Sequence, residues 1–166
     1  IYQKGEKERN SAQMLKAYMW RMKTQDILTP DSFYVGLRDL EQWAKQTEQP
    51  MDRAILHSLI AEFYANYAAD NQWQLRQRTE IVGETPSADI REWTANMFVE
   101  KVRTNVKEAL ADSLLLLKTS SLNYIPFVEL GETSEYYHHD MYHLLASRAI
   151  RALNQIERLE RGSFNG

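Results

Sequence analysis

The chain has no cysteine, and only six glycines and four prolines in 166 residues. Without cysteine there is no disulfide framework, no thiolate-bound zinc and no thiol nucleophile. That absence suits an oxidising compartment. The glycines, at 5, 36, 83, 131, 162 and 166, are too scattered to build a phosphate-cradling loop. So few glycines and prolines also argue against a β-sandwich with frequent tight turns. No Gly-x-Ser-x-Gly elbow and no His-Glu-x-x-His pair occurs. No wholly apolar run exceeds the four leucines Leu114–Leu117, whereas a membrane span needs about 20 residues. Neither sign of charge dominates: 20 Lys and Arg against 23 Asp and Glu give a net charge of −3. This excludes a basic nucleic-acid platform and an acidic solvated tail. The chain opens at Ile1 rather than Met and reads as a mature product or an excised piece, so no leader reports its compartment.

What the chain does have is apolar residues, 43% of the total, spaced for helices. Between Glu6 and Thr24, Ala12, Leu15, Met19 and Met22 share a face. Thr29-Pro30-Asp31-Ser32 is helix-start chemistry, and Phe33, Leu37, Leu40 and Ala44 form the stripe that follows, with Trp43 beside it. Gln49-Pro50 stops that helix and opens a third. There Ile55, Leu59, Phe63 and Tyr67, joined by Leu56, Ile60 and Tyr64, make a face wide enough to meet several neighbours. It is expected to be the most buried element, ending at Asp70-Asn71. A polar stretch through Trp73 leads to the turn Gly83-Glu84-Thr85-Pro86. A fourth tract is expected to start near Ser87–Asp89 and to run through Trp93, Met97, Val102, Val106, Leu110 and Leu114 to Lys118. Its thirty residues exceed the usual helix length, predicting a kink near Asn105 or two abutting helices. Thr119 to Glu135 reads as a packed-down loop. A final helix runs from His139 to Arg161 on Met141, Leu145, Ala149, Leu153 and Ile156.

The pattern predicts an all-α fold, an irregular bundle or short array of five to six antiparallel helices. It reads as one domain over 1–161, with 162–166 a tail or linker. The four tryptophans at 20, 43, 73 and 93 show no fixed period, which argues against a solenoid. Leu59, Phe63, Leu110 and Leu145 are the expected core. Arg148, one position before Ala149 on the final stripe, is placed to reach an acid such as Glu62 across a helix interface.

Reactive chemistry has one foothold, Tyr136-Tyr137-His138-His139-Asp140-Met141-Tyr142-His143. On a helix His139 and His143 would share a face, the spacing two imidazoles need for one metal ion. Asp140 or Glu135 could add an oxygen, and Glu135-x-x-His138 resembles half of a di-iron carboxylate motif, whose second half is missing. The plainer reading is a polar, aromatic first helical turn with His143 toward solvent. Nine tyrosines, five phenylalanines and four tryptophans are explained chiefly by packing. Trp73, among Gln and Arg and outside any stripe, is the expected exposed aromatic, with Arg76 and Arg78 nearby for an anion. His57 reads as a satisfied boundary histidine. Glu41 and Glu48 read as solvated. No catalytic, cofactor-binding or metal-binding residue is assigned, and no cofactor is expected.

Three tracts together resemble a known family. They are Ala61-Glu62-Phe63-Tyr64-Ala65-Asn66-Tyr67; Asp89-Ile90-Arg91-Glu92-Trp93-Thr94 with Phe98 and Ala111-Asp112-Ser113-Leu114 downstream; and Asp140-Met141-Tyr142-His143-Leu144-Leu145-Ala146-Ser147-Arg148-Ala149-Ile150. In order and spacing they are similar to the helical N-terminal region of large bacterial alpha-2-macroglobulin-like envelope proteins, over residues 10–160. The last tract departs, with Tyr142-His143-Leu144 where that family tends to have Tyr-Asp-Phe. The resemblance implies an exported protein of the bacterial envelope, often lipid-anchored, in a protease-trapping or inhibitor system. This piece would be a non-catalytic scaffold or docking module. Its partners would be other domains of a longer chain, or a protease or envelope protein. A thioester, present in some members, would lie elsewhere, because this chain has no cysteine. Two alternatives remain: a metal-dependent helical enzyme using His138, His139 and His143, and a peptide- or glycan-binding module using Trp73.

Overall fold

A computed structural model describes residues 30–78, 87–121 and 140–163, together with Ala17. Among them are six α-helices and no strand: α1 (Pro30–Gln46), α2 (Pro50–Asp70), α3 (Gln72–Arg76), α4 (Ala95–Ala109), α5 (Ser113–Lys118) and α6 (Met141–Ser163), with a 3₁₀ turn at Ile90–Glu92 before α4. The fold is an all-α irregular bundle. The tract 6–24 lies outside the described residues apart from Ala17, which is helical and exposed. The side chain of Phe33 and residues 122–139 lie outside them too.

Helix α1 turns Leu37, Leu40 and Ala44 inward at helical spacing. Three residues then reverse the chain. Arg53 donates to the Thr47 carbonyl at 2.7 Å, and Pro50 enters the first turn of α2, where its missing N–H costs nothing. Helix α2 is the hub, packed against α1, α4 and α6. Its buried residues occupy most of its circumference, from Met51 and Ile55 to Tyr64 and Ala68. His57 meets Asn105 while Tyr67 stacks on Phe98, so α2 and α4 run antiparallel. Against α6 the pairs Glu62–Arg148 and Asn66–Gln155 advance together along both helices.

The fourth tract begins and breaks at points other than those its periodicity suggested. The α-helix starts at Ala95, not at Ser87–Asp89. Asp89 instead caps the 3₁₀ turn by accepting from the Arg91 amide at 2.9 Å. The Trp93 indole N–H donates to the Ser87 carbonyl at 2.6 Å, and the chain at Trp93 is extended, with ψ 148°. That anchor holds the segment out of the helical path. The helix runs unbroken through Asn105. Its side-chain amide donates back to the Lys101 carbonyl at 2.8 Å. The interruption comes at Leu110–Asp112, where Asp112 caps α5 through the Leu115 amide at 3.3 Å. The tract is thus two abutting α-helices. At the other end α6 continues to Ser163, two residues into the expected tail.

The core includes Leu40, Ile55, Leu56, Phe98, Leu116 and Leu145, all fully buried. Of the expected core residues Leu59 and Leu145 are buried, whereas Phe63 and Leu110 are only partly so. Phe63 sits at the margin of the wide α2 face, and Leu110 lies in the break after α4. Leu145→Ala is therefore expected to cost about 2–5 kcal/mol in urea denaturation, and Leu110→Ala clearly less, because its site is partly open to water.

Candidate functional site

Four polar side chains of α2, His57, Glu62, Tyr64 and Asn66, meet partners on neighbouring helices. The Tyr64 hydroxyl donates to the Glu41 carboxylate on α1. Burial, and then the Glu41 charge, push the Tyr64 hydroxyl far above the ordinary phenol value, so it stays protonated and donates. Glu41 is accordingly not merely solvated, as its sequence surroundings suggested. Glu48, in contrast, is exposed.

Two turns earlier on α2, His57 bonds to the Asn105 oxygen at 2.8 Å. Because the Asn105 amide already donates to the Lys101 carbonyl, its oxygen must accept, and His57 Nδ1 carries the proton. His57 is a satisfied boundary histidine. Glu62 accepts from Arg148 of α6 at 2.6 Å, the partner its position on the stripe suggested. Asn66 accepts from Gln155 at 3.0 Å.

Beside these joints lies an aromatic cluster. Tyr64 stacks on Trp93 with ring centroids 5.6 Å apart, Phe98 lies 5.4 Å from both Trp93 and Tyr67, and the Lys101 ammonium sits 5.8 Å over the Trp93 ring. The resemblance residues Tyr64, Trp93 and Arg148 are all buried at helix interfaces. The rings are packing partners, and Arg78 fastens them further by donating to the Trp93 carbonyl at 2.9 Å. Arg78 is thus engaged with the chain itself, while Arg76 is exposed and reaches Gln72 at 3.3 Å.

His138, His139 and Glu135 lie outside the described residues, so the metal reading is tested only at its C-terminal end. There Asp140 accepts from the His143 amide at 2.9 Å and from His143 Nδ1 at 2.7 Å. The carboxylate caps the first turn of α6, and the exposed imidazole folds back onto it. Among the described residues, no group of three His, Asp or Glu side chains could hold a metal ion.

The amide bond from His143, aided by its ring, holds Asp140 below the usual carboxylate range. A carboxylate with a depressed folded value stabilises the fold above its unfolded value, near pH 4, and loses that contribution as the pH falls through the folded value. Asp140→Ala is expected to cost about 1 kcal/mol at neutral pH. Urea titrations between neutral and strongly acidic pH should show the variant's deficit vanishing at the acid end.

Solvent receives large apolar side chains at four described positions: Trp73 at 74% exposure, Leu114 at 69%, Ile150 at 58% and Leu117 at 46%. Leu114 and Leu117 lie three residues apart on one side of α5, whose Leu116 is buried. Trp73 projects from α3, held down by buried Leu75. No helix among the described residues is long and apolar enough to cross a membrane.

No family model, curated protein or solved structure matches this chain. Functional assignment therefore starts from the geometry and from the sequence resemblance.

Proposed function

We propose that the chain is a non-catalytic helical docking module, belonging to a longer exported protein of the bacterial envelope. The observation that carries this reading is the division of labour among side chains. Groups with chemical potential on α2 are spent on Glu41, Asn105, Arg148 and Gln155, while Trp73, Leu114, Leu117 and Ile150 face solvent. Exposed Trp and Leu are costly to leave in water and useful as anchors for a partner surface. The alpha-2-macroglobulin-like identity is proposed on the three tracts alone; their key residues, Tyr64, Trp93 and Arg148, are those that hold the helices together. Its docking partners would then be neighbouring domains of the same long chain, and its setting a protease-trapping system.

The test is to express the parent reading frame and follow backbone hydrogen exchange at α3 and α5. Protection of these elements beyond that of the 166-residue chain, with β-sandwich segments encoded downstream, supports both parts. A stop codon after Gly166 ends the family reading, and unchanged exchange ends the docking role.

A second reading, peptide or glycan binding, is favoured by the exposure of Trp73 in a Gln- and Arg-rich setting. Trp73→Ala is expected to leave stability within about 0.5 kcal/mol of wild type. Ligand-dependent quenching of indole fluorescence that disappears in this variant would promote that reading, and no response across a panel of envelope glycans and peptides would dismiss it.

A further inference from the structure

We propose that the Glu62–Arg148 pair is a register pin, a device that fixes which turn of α6 sits against α2. Arg148 is, among the described residues, the one charged side chain on the buried face of α6, with 9% of it exposed against 24% for Glu62. A buried ion pair is weak evidence for stability, because desolvation offsets most of the attraction; its best attested use is to specify register.

The sequence of α6 makes such a device useful. If the helix slides by four residues, Leu145 enters the slot of Met141, Ala149 that of Leu145, and Ile156 that of Ala152. All three exchanges are apolar for apolar, and cores tolerate these better than polar substitutions. Arg148 is the first exception. It would enter the slot of Leu144, while Ala152 arrived opposite Glu62, separating both charges inside the interface. The Asn66–Gln155 bond adds a weaker bias on the same seam. Toward the C-terminus Glu160 is a second exception, since it would leave Arg103, its partner at 3.0 Å, for the buried slot of Ile156.

The absence of cysteine permits a direct test, because two introduced cysteines are the only sites for spin labels. With Asp70→Cys on α2 and Asn154→Cys on α6, both exposed positions, pulsed dipolar spectroscopy reads the distance between the helices. The native pair is expected to give one distance. In Glu62→Met with Arg148→Met the protein should unfold at or above the native temperature. A second distance displaced by up to about 6 Å, four residues of helical rise, should appear. Its population should rise from below about 1% to about 10%.

Arg103→Gln, which breaks only the exposed pair, should keep the single distance. A single distance of native width in the doubly apolar variant overturns the proposal, as does equal splitting in Arg103→Gln. If the doubly apolar variant fails to fold, Glu62→Gln with Arg148→Gln is read in its place. Failure of both to fold would make the pair a folding requirement and not a pin, and would likewise overturn it.

Discussion

Arg148→Ala should destabilise the bundle by about 3 kcal/mol, and Glu62→Ala by more, toward about 5 kcal/mol. The asymmetry follows from burial. With Arg148 truncated, the remaining Glu62 carboxylate is still about a quarter exposed and recovers part of its hydration. With Glu62 truncated, the guanidinium left behind is the more deeply buried of the two charges and has lost its carboxylate at 2.6 Å. Urea denaturation of the two single variants and the double variant would measure both losses and their coupling. The double variant should fall well short of the sum, because neither charge is then stranded. Equal losses below about 1 kcal/mol would mean that the pair behaves like a surface salt bridge.

Phe98→Ala is expected to be as damaging, about 3–5 kcal/mol, because the ring is fully buried and its removal leaves a cavity that three aromatic neighbours cannot close. Tyr64, Tyr67 and Trp93 lie 6.2, 5.4 and 5.4 Å away, so their mutual geometry relaxes when the ring goes. The loss should therefore be accompanied by a collapse of the near-ultraviolet circular dichroism of the tyrosine and tryptophan bands. Phe98→Leu, which refills part of the volume, should lose less stability. A large loss of stability with an unchanged near-ultraviolet spectrum would show that the other three rings keep their geometry without Phe98.

Much of the helical architecture was legible from residue spacing. Pro50 to Asp70 matches α2 at both ends, because Pro50 fixes the start and the polar Asp70-Asn71 step ends the apolar face. Arg148 could be paired with Glu62 in advance, because a charge on an apolar stripe must find an opposite charge when the stripe is buried. Exposed Trp73 was equally legible, since it belongs to no stripe. The fourth tract was not. Periodicity carries through Asp89–Trp93 and Leu110–Asp112, but local hydrogen bonds from Trp93 to Ser87 and from Leu115 to Asp112 accompany the departures from one continuous helix. Phe63 and Leu110 show the same limit in packing: their place on a stripe was visible, but how much of each the neighbouring helices cover was not.

By itself the sequence determined the all-α class, the apolar faces that α1, α2 and α6 turn inward, and that no cysteine chemistry is possible. Those properties depend on residue type and on separations of a few positions along one helix. The tertiary structure alone decided that Glu41 is tied to Tyr64, that His57 is held by Asn105, and that Leu114 and Leu117 are left facing water. Each of these depends on which helix lies opposite at a given height. That is set by the closing of loops and the fit of whole faces, which no local spacing encodes.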